Sequence, residues 1–290
     1  MILKALAPAK LNLSLDIVGT LPGGYHALDS VMLAVDLCDT LTFERGGAGV
    51  RFSCSDPALP TDEGNLVLLA VRAFFAHTGT GHGGLEITLT KRIPLQAGLA
   101  GGSADAAAAL VALRRLYKAS LSDADLREIA LTLGSDIPFC LMGGCARAGG
   151  RGELVSPLPP LPVCAVFVIA KPAVGMDTRR AFEIYDQSPP TPPRTCTDTM
   201  VSALDCGDLK AIGPAMSNVF EDVLPLPEVR RLKAAILAHG GLGAVMTGSG
   251  TAVAGLFDNE RAAGICLESL RGSAPFVCLA RPASSGPVLV

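Results

Sequence analysis

The order of apolar and polar positions in the first half predicts strands and a helix. Three segments alternate apolar with polar residues between Gly, Asp or Pro boundaries, which is typical of strands: LNLSLDIV (11–18), DTLTFE (39–44) and GLEITLTK (84–91). Between the last two, NLVLLAVRAFFAHTG (65–79) has apolar residues at helical spacing and ends at Gly79, which predicts a helix. We therefore expect an antiparallel or mixed sheet covered by helices.

The second half has a similar pattern after a proline-rich break. VSPLPPLP (155–162) holds four prolines and cannot be helical, so we place a domain border at Ser156. Beyond the border the pattern predicts a buried strand, an amphipathic helix, and two strands joined by a glycine turn: VCAVFVIAKP (163–172), LPEVRRLKAAILAHGG (226–241) and GAVMTGSGTAVAGLF (243–257). A length of 290 residues fits two modest domains, which we assign to residues 1–156 and 157–290.

Composition and charge exclude several kinds of partner. The net charge is −3 without a basic stripe, so we expect no nucleic-acid partner. Nine cysteines form no C-x-x-C pair and four histidines form no H-E-x-x-H, which argues against structural zinc. MILKALAPAK is no signal peptide, and no apolar run could cross a bilayer. We expect a cytoplasmic protein, monomeric or homodimeric, without a membrane partner.

The segment IPLQAGLAGGSADAAAAL (93–110) places glycines directly before a good helix former. Gly98, Gly101 and Gly102 leave room for a ligand, Ser103 offers a hydroxyl, and the helix is predicted from Ala104 onward. Free N–H groups at a helix start bind anions, so the loop suits a polyphosphate. The alternative is a strand-to-helix link that binds no ligand. It stays open because neither common nucleotide-binding motif, G-x-x-x-x-G-K-[ST] or G-x-G-x-x-G, is present.

PLQAGLAGGSADAA (94–107) resembles the phosphate loop of the GHMP kinases, P-x-x-x-G-L-[GSA]-[GS]-[GS]-[SA]-A. The resemblance continues in further blocks along nearly the whole chain: APAKLNLSLDIVGTLPGGYHALDSVM, GSDIPFCLMGGCARAGGRGE, SNVFEDV and VMTGSGTAVAGLF. A-K-x-N together with G-Y-H is similar to the branch whose acceptor is a cytidine-diphosphate-linked polyol. The chain departs from that branch at Gly23, where Asp is usual, and in SPPTPPRT (188–195).

This resemblance implies a fold and an activity. The fold is α+β with two domains, a ribosomal protein S5 domain 2-like N-terminal domain and a ferredoxin-like C-terminal domain. The activity is phosphorylation of a small-molecule alcohol by ATP with Mg²⁺. We assign no side-chain metal site, because magnesium on ATP keeps most of its waters, although Ser103 is a candidate ligand.

The resemblance implies two catalytic residues, Asp136 as the base and Lys10 as its partner. From the residues alone, Asp136 also fits a helix cap or turn, and Lys10 also fits a strand lysine on the solvent face. An unpaired ammonium inside an apolar strand would be costly, so Lys10 must be paired or exposed. Asn12 would point to the same side as Lys10, two strand positions on.

The resemblance also implies two sets of binding residues. Those expected to bind ATP are Pro94, Gly98, Leu99, Ala100, Gly101, Gly102, Ser103 and Ala104. Those expected to bind the acceptor are Asn12, Tyr25, His26, Thr178, Phe182, Gly248 and Ser249. The rings serve the base, and the glycine turn is expected to close over the reacting phosphates. Asn65 and Lys91 are candidates along the ATP path, but a helix cap and a surface charge explain them equally.

Two other functions stay open at this point. Another GHMP kinase, such as homoserine kinase, would share the loop and Asp136 without using Tyr25, His26 and Phe182. A non-catalytic nucleotide-binding module would keep the glycines and have no use for Lys10 and Asp136.

Overall fold

The structure, a computed structural model, describes residues 2–189 and 196–290. The strands are β1 (Ile2–Thr20), β2 (His26–Arg45), β3 (Val50–Cys54), β4 (Leu85–Thr90), β5 (Cys145–Gly149), β6 (Leu154–Pro157), β7 (Val166–Lys171), β8 (Ser217–Asn218), β9 (Gly243–Met246), β10 (Val253–Phe257), β11 (Phe276–Ala280) and β12 (Val288–Leu289). The helices are α1 (Leu66–Thr78), α2 (Gly101–Leu116), α3 (Asp123–Leu133), α4 (Ile137–Met142), α5 (Thr178–Gln187), α6 (Cys196–Cys206), α7 (Leu209–Ala215), α8 (Phe220–Val223), α9 (Pro227–Ala238) and α10 (Glu260–Leu270). Most of the unmatched proline-rich segment, 190–195, lies outside the described residues.

The larger sheet is mixed, as the alternating pattern predicts. Its main path runs β12-β1-β2-β4-β3, with β5 on β2, β6 on β5 and β8 on β1. The β3–β4 and β1–β8 pairs are parallel and the others antiparallel. The predicted strands 11–18 and 39–44 are confirmed as parts of much longer strands. The pattern missed the start of β1 because Ala5–Lys10 is largely buried on both faces and does not alternate.

The smaller sheet is antiparallel, in the order β11-β7-β10-β9. The buried strand and the strand–turn–strand segment predicted for the second half are confirmed as β7 and as β9 with β10. The amphipathic helix is confirmed as α9. Apolar residues of α9 and α10 pack on the smaller sheet and form one of the buried clusters.

The border predicted near Ser156 does not separate the two sheets completely. Residues 154–157 form β6, which pairs with β5, so the first part of the proline-rich segment is an edge strand and not a linker. The short strands β8 and β12, both from the second half of the chain, pair with β1 in the larger sheet. A two-domain division at residue 156 stays a prediction.

Alanine fills the space between the larger sheet and its helices. Ala106, Ala107, Ala108 and Ala109 of α2 are fully buried in a cluster that also contains residues of α1 and α3. Because an alanine side chain is small, α2 lies close to β1. The close approach leaves little space to fill, and the core therefore needs few aromatic residues. This close packing fixes the first turn of α2 beside β1.

A register shift in β1 decides which side chains reach the site. Ala5 and Ala7 belong to the cluster under the helices, whereas Ala9 and Leu11 belong to the cluster between the sheets. The pairing of β1 with β2 shifts between Pro8 and Ala9, and proline has no N–H to donate. Past this shift, the even-numbered side chains point away from the cluster between the sheets, and Lys10 is the first of them.

Candidate active site

A cavity of about 730 Å³ lies where β1, the loop before α2, α5 and the β9–β10 turn meet. It is lined by almost all the residues named as site candidates: Lys10, Asn12, Tyr25, His26, Pro94, Gly98, Leu99, Ala100, Gly101, Gly102, Ser103, Asp136, Thr178, Phe182, Gly248 and Ser249. Lys91 also lines it, whereas Asn65 and Ala104 do not. Ala104 has a buried side chain, and its N–H donates to the Ala100 carbonyl (2.9 Å). Its N–H is therefore already used within the helix.

The helix after the glycine loop begins three residues earlier than its predicted start at Ala104. Gly101 and Gly102 form the first turn of α2, and the cap residue Ala100 has φ +55 in the left-handed region. Ala100 provides no side-chain cap hydrogen bond to the first turn. Because the first N–H groups of a helix have no partner within it, those at the start of α2 suit an anion in the cavity.

The glycine loop and the β9–β10 turn touch backbone to backbone. Gly98 has φ +74, and a Cβ added there would lie 1.9 Å from the Thr247 carbonyl oxygen. The Thr247 hydroxyl donates to the Gly98 carbonyl (3.2 Å), and the Ala252 N–H donates to the Ala97 carbonyl (3.1 Å). The loop from the first half and the turn from the second half therefore form one wall of the cavity.

Lys10 and Asp136 form an ion pair in the cavity. Lys10 Nζ is 3.8 Å from Asp136 Oδ2, and the Lys10 side chain is 5% exposed, which is incompatible with a lysine on the solvent face. The Lys10 ammonium also donates to Asn12 Oδ1 (2.6 Å). Asp136 stands at the start of α4 but makes no side-chain cap hydrogen bond, so the helix-cap explanation does not account for its carboxylate. A substrate hydroxyl has room to reach both groups.

Aromatic rings gather at the other end of the cavity. The His26 ring stacks on Phe182 with centroids 4.7 Å apart and an interplanar angle of 23°. Tyr25 is exposed, and the Arg151 guanidinium lies 4.8 Å from its ring centroid. Thr178, at the start of the helix that carries Phe182, shares a hydrogen bond with Ser249 (3.0 Å). These aromatic faces at the cavity wall are of the kind on which a flat ring such as a nucleobase stacks.

Sequence reasoning missed Asp186 and Arg151, which also line this end. Asp186 Oδ1 lies 2.7 Å from His26 Nε2. Asp186 follows Phe182 by four residues on α5, and residues at this spacing lie on one face of a helix. The spacing was therefore a signal from which Asp186 could have been predicted beside Phe182. Arg151 carried no comparable signal, because its contact with Tyr25 depends on the packing of a distant segment.

The two weak candidates on the ATP path have clear structural partners. Asn65 caps α1 and accepts a hydrogen bond from the Val67 N–H (2.9 Å), so its interpretation as a cap is confirmed. Lys91 is buried, not a surface charge: its ammonium bonds to Asp39 and to Asp105 Oδ2 (2.8 Å). Burial, followed by the neighbouring Asp39 carboxylate, raises the pKa of Asp105 to about 7.

Lys91 and Asp39 also hold the start of the glycine loop. Asp39 Oδ1 accepts hydrogen bonds from the N–H groups of Arg92 (2.5 Å) and Ile93 (2.9 Å). The Lys91 ammonium bonds to Asp39 and to Asp105 in α2, so it connects the start of the glycine loop to the helix that follows it. Across residues 2–189 and 196–290, no cluster of three or more His, Cys, Asp or Glu side chains is arranged to hold a metal ion.

Two family models match this chain. Residues 65–144 match the GHMP kinase N-terminal domain, and residues 200–274 match the GHMP kinase C-terminal domain. A 4-diphosphocytidyl-2-C-methyl-D-erythritol kinase of Gloeobacter violaceus is 42% identical over 94% of this chain and 92% of its own length. The chain belongs to the GHMP kinase family. Like the other members of this family, it is a small-molecule kinase that uses ATP.

Other relatives and solved structures agree with this membership. A kinase of the same name from Symbiobacterium thermophilum is 43% identical over 91% of this chain and 93% of its own. A crystal structure of 4-(cytidine 5'-diphospho)-2C-methyl-D-erythritol kinase has a TM-score of 0.79 at 32% identity, covering 97% of this chain and 100% of that one. A homoserine kinase from Cytophaga hutchinsonii has a TM-score of 0.81 at 24% identity over 100% and 97%, a likeness of fold. The predicted family and α+β fold are confirmed.

Proposed function

We propose that this GHMP kinase transfers the γ-phosphate of ATP to the 2-hydroxyl of 4-diphosphocytidyl-2-C-methyl-D-erythritol, in the non-mevalonate isoprenoid route. The observation that carries the proposal is the pairing of His26 with Phe182 in the cavity that also holds Lys10 and Asp136. A cytidine diphosphate bridges a ring-binding end and a phosphate-binding end, and this cavity offers both. Relatives above 40% identity with this activity in their names support the same acceptor.

In the mechanism that we propose, the acceptor hydroxyl attacks the γ-phosphorus, the bond from that phosphorus to the β–γ bridging oxygen breaks, and ADP leaves. Asp136 accepts the proton of the hydroxyl. The Lys10 ammonium, 3.8 Å from the Asp136 carboxylate, orients the hydroxyl. The N–H groups at the start of α2 bind the ATP phosphates, with Gly98 and its neighbours allowing a close approach. Transfer is direct and in line: the acceptor hydroxyl is itself the nucleophile, with Asp136 as its base and the start of α2 as the phosphate cradle.

Magnesium enters this proposal as part of the ATP complex. Magnesium keeps several waters and binds protein through few oxygen ligands. The Ser103 hydroxyl, in the first turn of α2 and on the cavity wall, is the protein oxygen that we assign to it. Bound there, the ion would neutralise charge on the β- and γ-phosphates.

The acceptor end is assigned to residues on both sides of the cavity. His26, Phe182 and Tyr25 bind the cytosine, while Gly248 and Ser249 of the β9–β10 turn bind the diphosphate, and Asn12 and Thr178 hold the position of their neighbours. Tyr25 follows Gly23, whose φ of +83 suits glycine better than the aspartate usual in this branch.

ADP release tests the proposal directly. Purified protein with magnesium-ATP is given 4-diphosphocytidyl-2-C-methyl-D-erythritol, mevalonate or homoserine in parallel. Turnover with the cytidyl compound alone supports the proposal. Turnover with homoserine or mevalonate instead would reassign the substrate, and ATP binding without any turnover would indicate a nucleotide-binding module. Radiolabel retained on protein after mixing with [γ-³²P]ATP alone would contradict direct transfer.

The proposal extends to compartment and assembly. Within the described residues no helix is long and apolar enough to span a membrane. A cytoplasmic location, and a monomeric or homodimeric state, stay predictions that fractionation and sedimentation would test.

A further inference from the structure

A buried asparagine behind the cavity connects its two ends. Asn218 lies at the end of β8 and is 2% exposed. Its side-chain Nδ2 donates to the carbonyl oxygens of Met246 (2.6 Å) and Gly248 (2.7 Å). Its Oδ1 accepts a hydrogen bond from the Phe220 N–H (2.9 Å). Both donors and the acceptor of this amide are therefore engaged with backbone groups.

The bond to Gly248 fixes the direction of a peptide group in the β9–β10 turn. In a trans peptide the C=O and the following N–H point to opposite sides. Because Asn218 holds the Gly248 carbonyl from the protein interior, the N–H of Ser249 faces the other way, and both turn residues line the cavity. A flipped peptide would present the carbonyl oxygen to a phosphate group and repel it.

The bond to the Phe220 N–H fixes the aromatic end. The Phe220 ring stands edge-on to Phe182, with centroids 5.0 Å apart at 85°, and Phe182 in turn stacks on His26. Phe220 is 1% exposed, so it supports the stack from within the core. Moving the start of α8 would therefore move the ring on which a base can stack.

Strand pairing holds the asparagine itself in place. Asn218 pairs in parallel with Leu15 of β1, and the Val219 N–H donates to the Leu15 carbonyl (2.9 Å). β1 is also the strand that carries Lys10. Asn218, which holds both the turn and the aromatic stack, is thus itself fixed by pairing with the strand that carries Lys10.

We propose that Asn218 is a positioning residue that sets, through one buried side-chain amide, the distance between the phosphate-binding turn and the base-binding stack. The identity of the acceptor, a cytidine diphosphate derivative, rests on the proposed function. The Asn218 side chain itself contacts backbone groups and does not take part in the chemical step.

The test uses Asn218→Asp, which has the same size and keeps an acceptor for the Phe220 N–H. The substitution loses both donors and faces a carboxylate with two carbonyl oxygens. We expect the KM of the acceptor and the Kd of cytidine diphosphate to rise about tenfold or more, with the KM of ATP changed less than about threefold. Asn259→Asp is the control for the same substitution at an exposed cap, that of α10: aspartate keeps the bond from the Ala262 N–H and loses only the amide hydrogen bond to the Asp258 carboxylate.

A second variant guards against misfolding. Asn218→Ser keeps one donor and has less bulk, so we expect a smaller rise in the Kd of cytidine diphosphate, in a protein that is still folded at the assay temperature although its unfolding midpoint is lowered. Unchanged constants in both variants would overturn the proposal, as would an equal loss of ATP and cytidine diphosphate binding, or failure of both variants to fold. If the wild type binds cytidine diphosphate but does not phosphorylate the acceptor, the proposed function fails while the comparison of Kd values still decides the role of Asn218.

Discussion

Lys10 Nζ and Asp136 Oδ2 lie 3.8 Å apart, beyond the range of a direct hydrogen bond. The Lys10 ammonium already donates to Asn12, and the Asp136 carboxylate is about one-third exposed to the cavity. A hydroxyl placed between the two can therefore donate to the carboxylate and accept from the ammonium. This arrangement suits a base that accepts a proton from a bound hydroxyl.

Asp136→Asn removes the proposed base and keeps the shape of the side chain. We expect kcat to fall about 10²- to 10⁴-fold while the Kd of ATP stays within about threefold, because the substitution leaves the start of α2 unchanged. Steady-state ADP release and calorimetric ATP binding measure the two quantities. Asp123→Asn, on the exposed start of α3, is the control. A kcat near that of the wild type would assign the proton transfer elsewhere.

Gly98 is predicted to tolerate no side chain. Alanine there would have φ +74 and a Cβ within 1.9 Å of the Thr247 carbonyl, so the loop and the turn must separate. We expect Gly98→Ala to weaken ATP binding at least about tenfold and to lower the free energy of unfolding by about 1–3 kcal/mol.

The control for Gly98→Ala is Gly264→Ala in α10, where a Cβ meets nothing within 4 Å. Alanine inside a helix is favoured over glycine, so this variant should gain about 0.5–1 kcal/mol. Urea unfolding and ATP calorimetry on both variants are the measurements. Normal ATP affinity in Gly98→Ala would show that contact between the loop and the turn is dispensable.

The sequence predicted those elements whose pattern is local. Alternation located β4, the spacing of apolar residues located α1, and the glycine run located the phosphate loop. The start of α2 was predicted three residues too late, because helix propensity counts against Gly101 and Gly102 while tertiary packing overrides it.

The sequence could not predict contacts that depend on distant segments. The Asn218 amide, the Lys91 ion pairs and the contact of Arg151 with Tyr25 each join parts of the chain that no local pattern relates. The pairing of Lys10 with Asp136 was expected from the family resemblance alone, and its geometry is set by the β1 register shift and by α4. The roles of these residues in catalysis stay predictions.

Phe182 is predicted to serve the acceptor and not ATP. Phe182→Leu keeps apolar contact with Phe220 but removes the flat face that stacks with His26. We expect the KM of the acceptor to rise about 5- to 20-fold with the KM of ATP nearly unchanged, since stacking contributes about 1–2 kcal/mol. Phe182→Tyr, which keeps a ring, should retain most of the affinity. Equal effects of both substitutions would argue against base stacking at this position.

The last prediction concerns the buried charges under the phosphate loop. Burial and the Asp39 carboxylate raise the pKa of Asp105 to about 7, against the opposing effect of Lys91. An unfolded aspartate titrates near about 4, so the folded protein holds a proton that the unfolded chain has lost between these values. The stability that this proton contributes is complete below about pH 4 and is lost as the pH rises through about 7.

Asp105→Asn removes this titration while keeping an oxygen for the Lys91 ammonium. The charged groups that face Asp105 are Asp39 and Lys91. The Cys140 thiol of α4 also faces it, but burial raises the pKa of this thiol, which therefore stays neutral over the range tested. We expect the free energy of unfolding of the wild type, relative to the variant, to decrease between about pH 5 and pH 7 and to level off near pH 8 in urea titrations. A constant difference across that range would mean that Asp105 is ionised throughout, with Lys91 neutralising it in full.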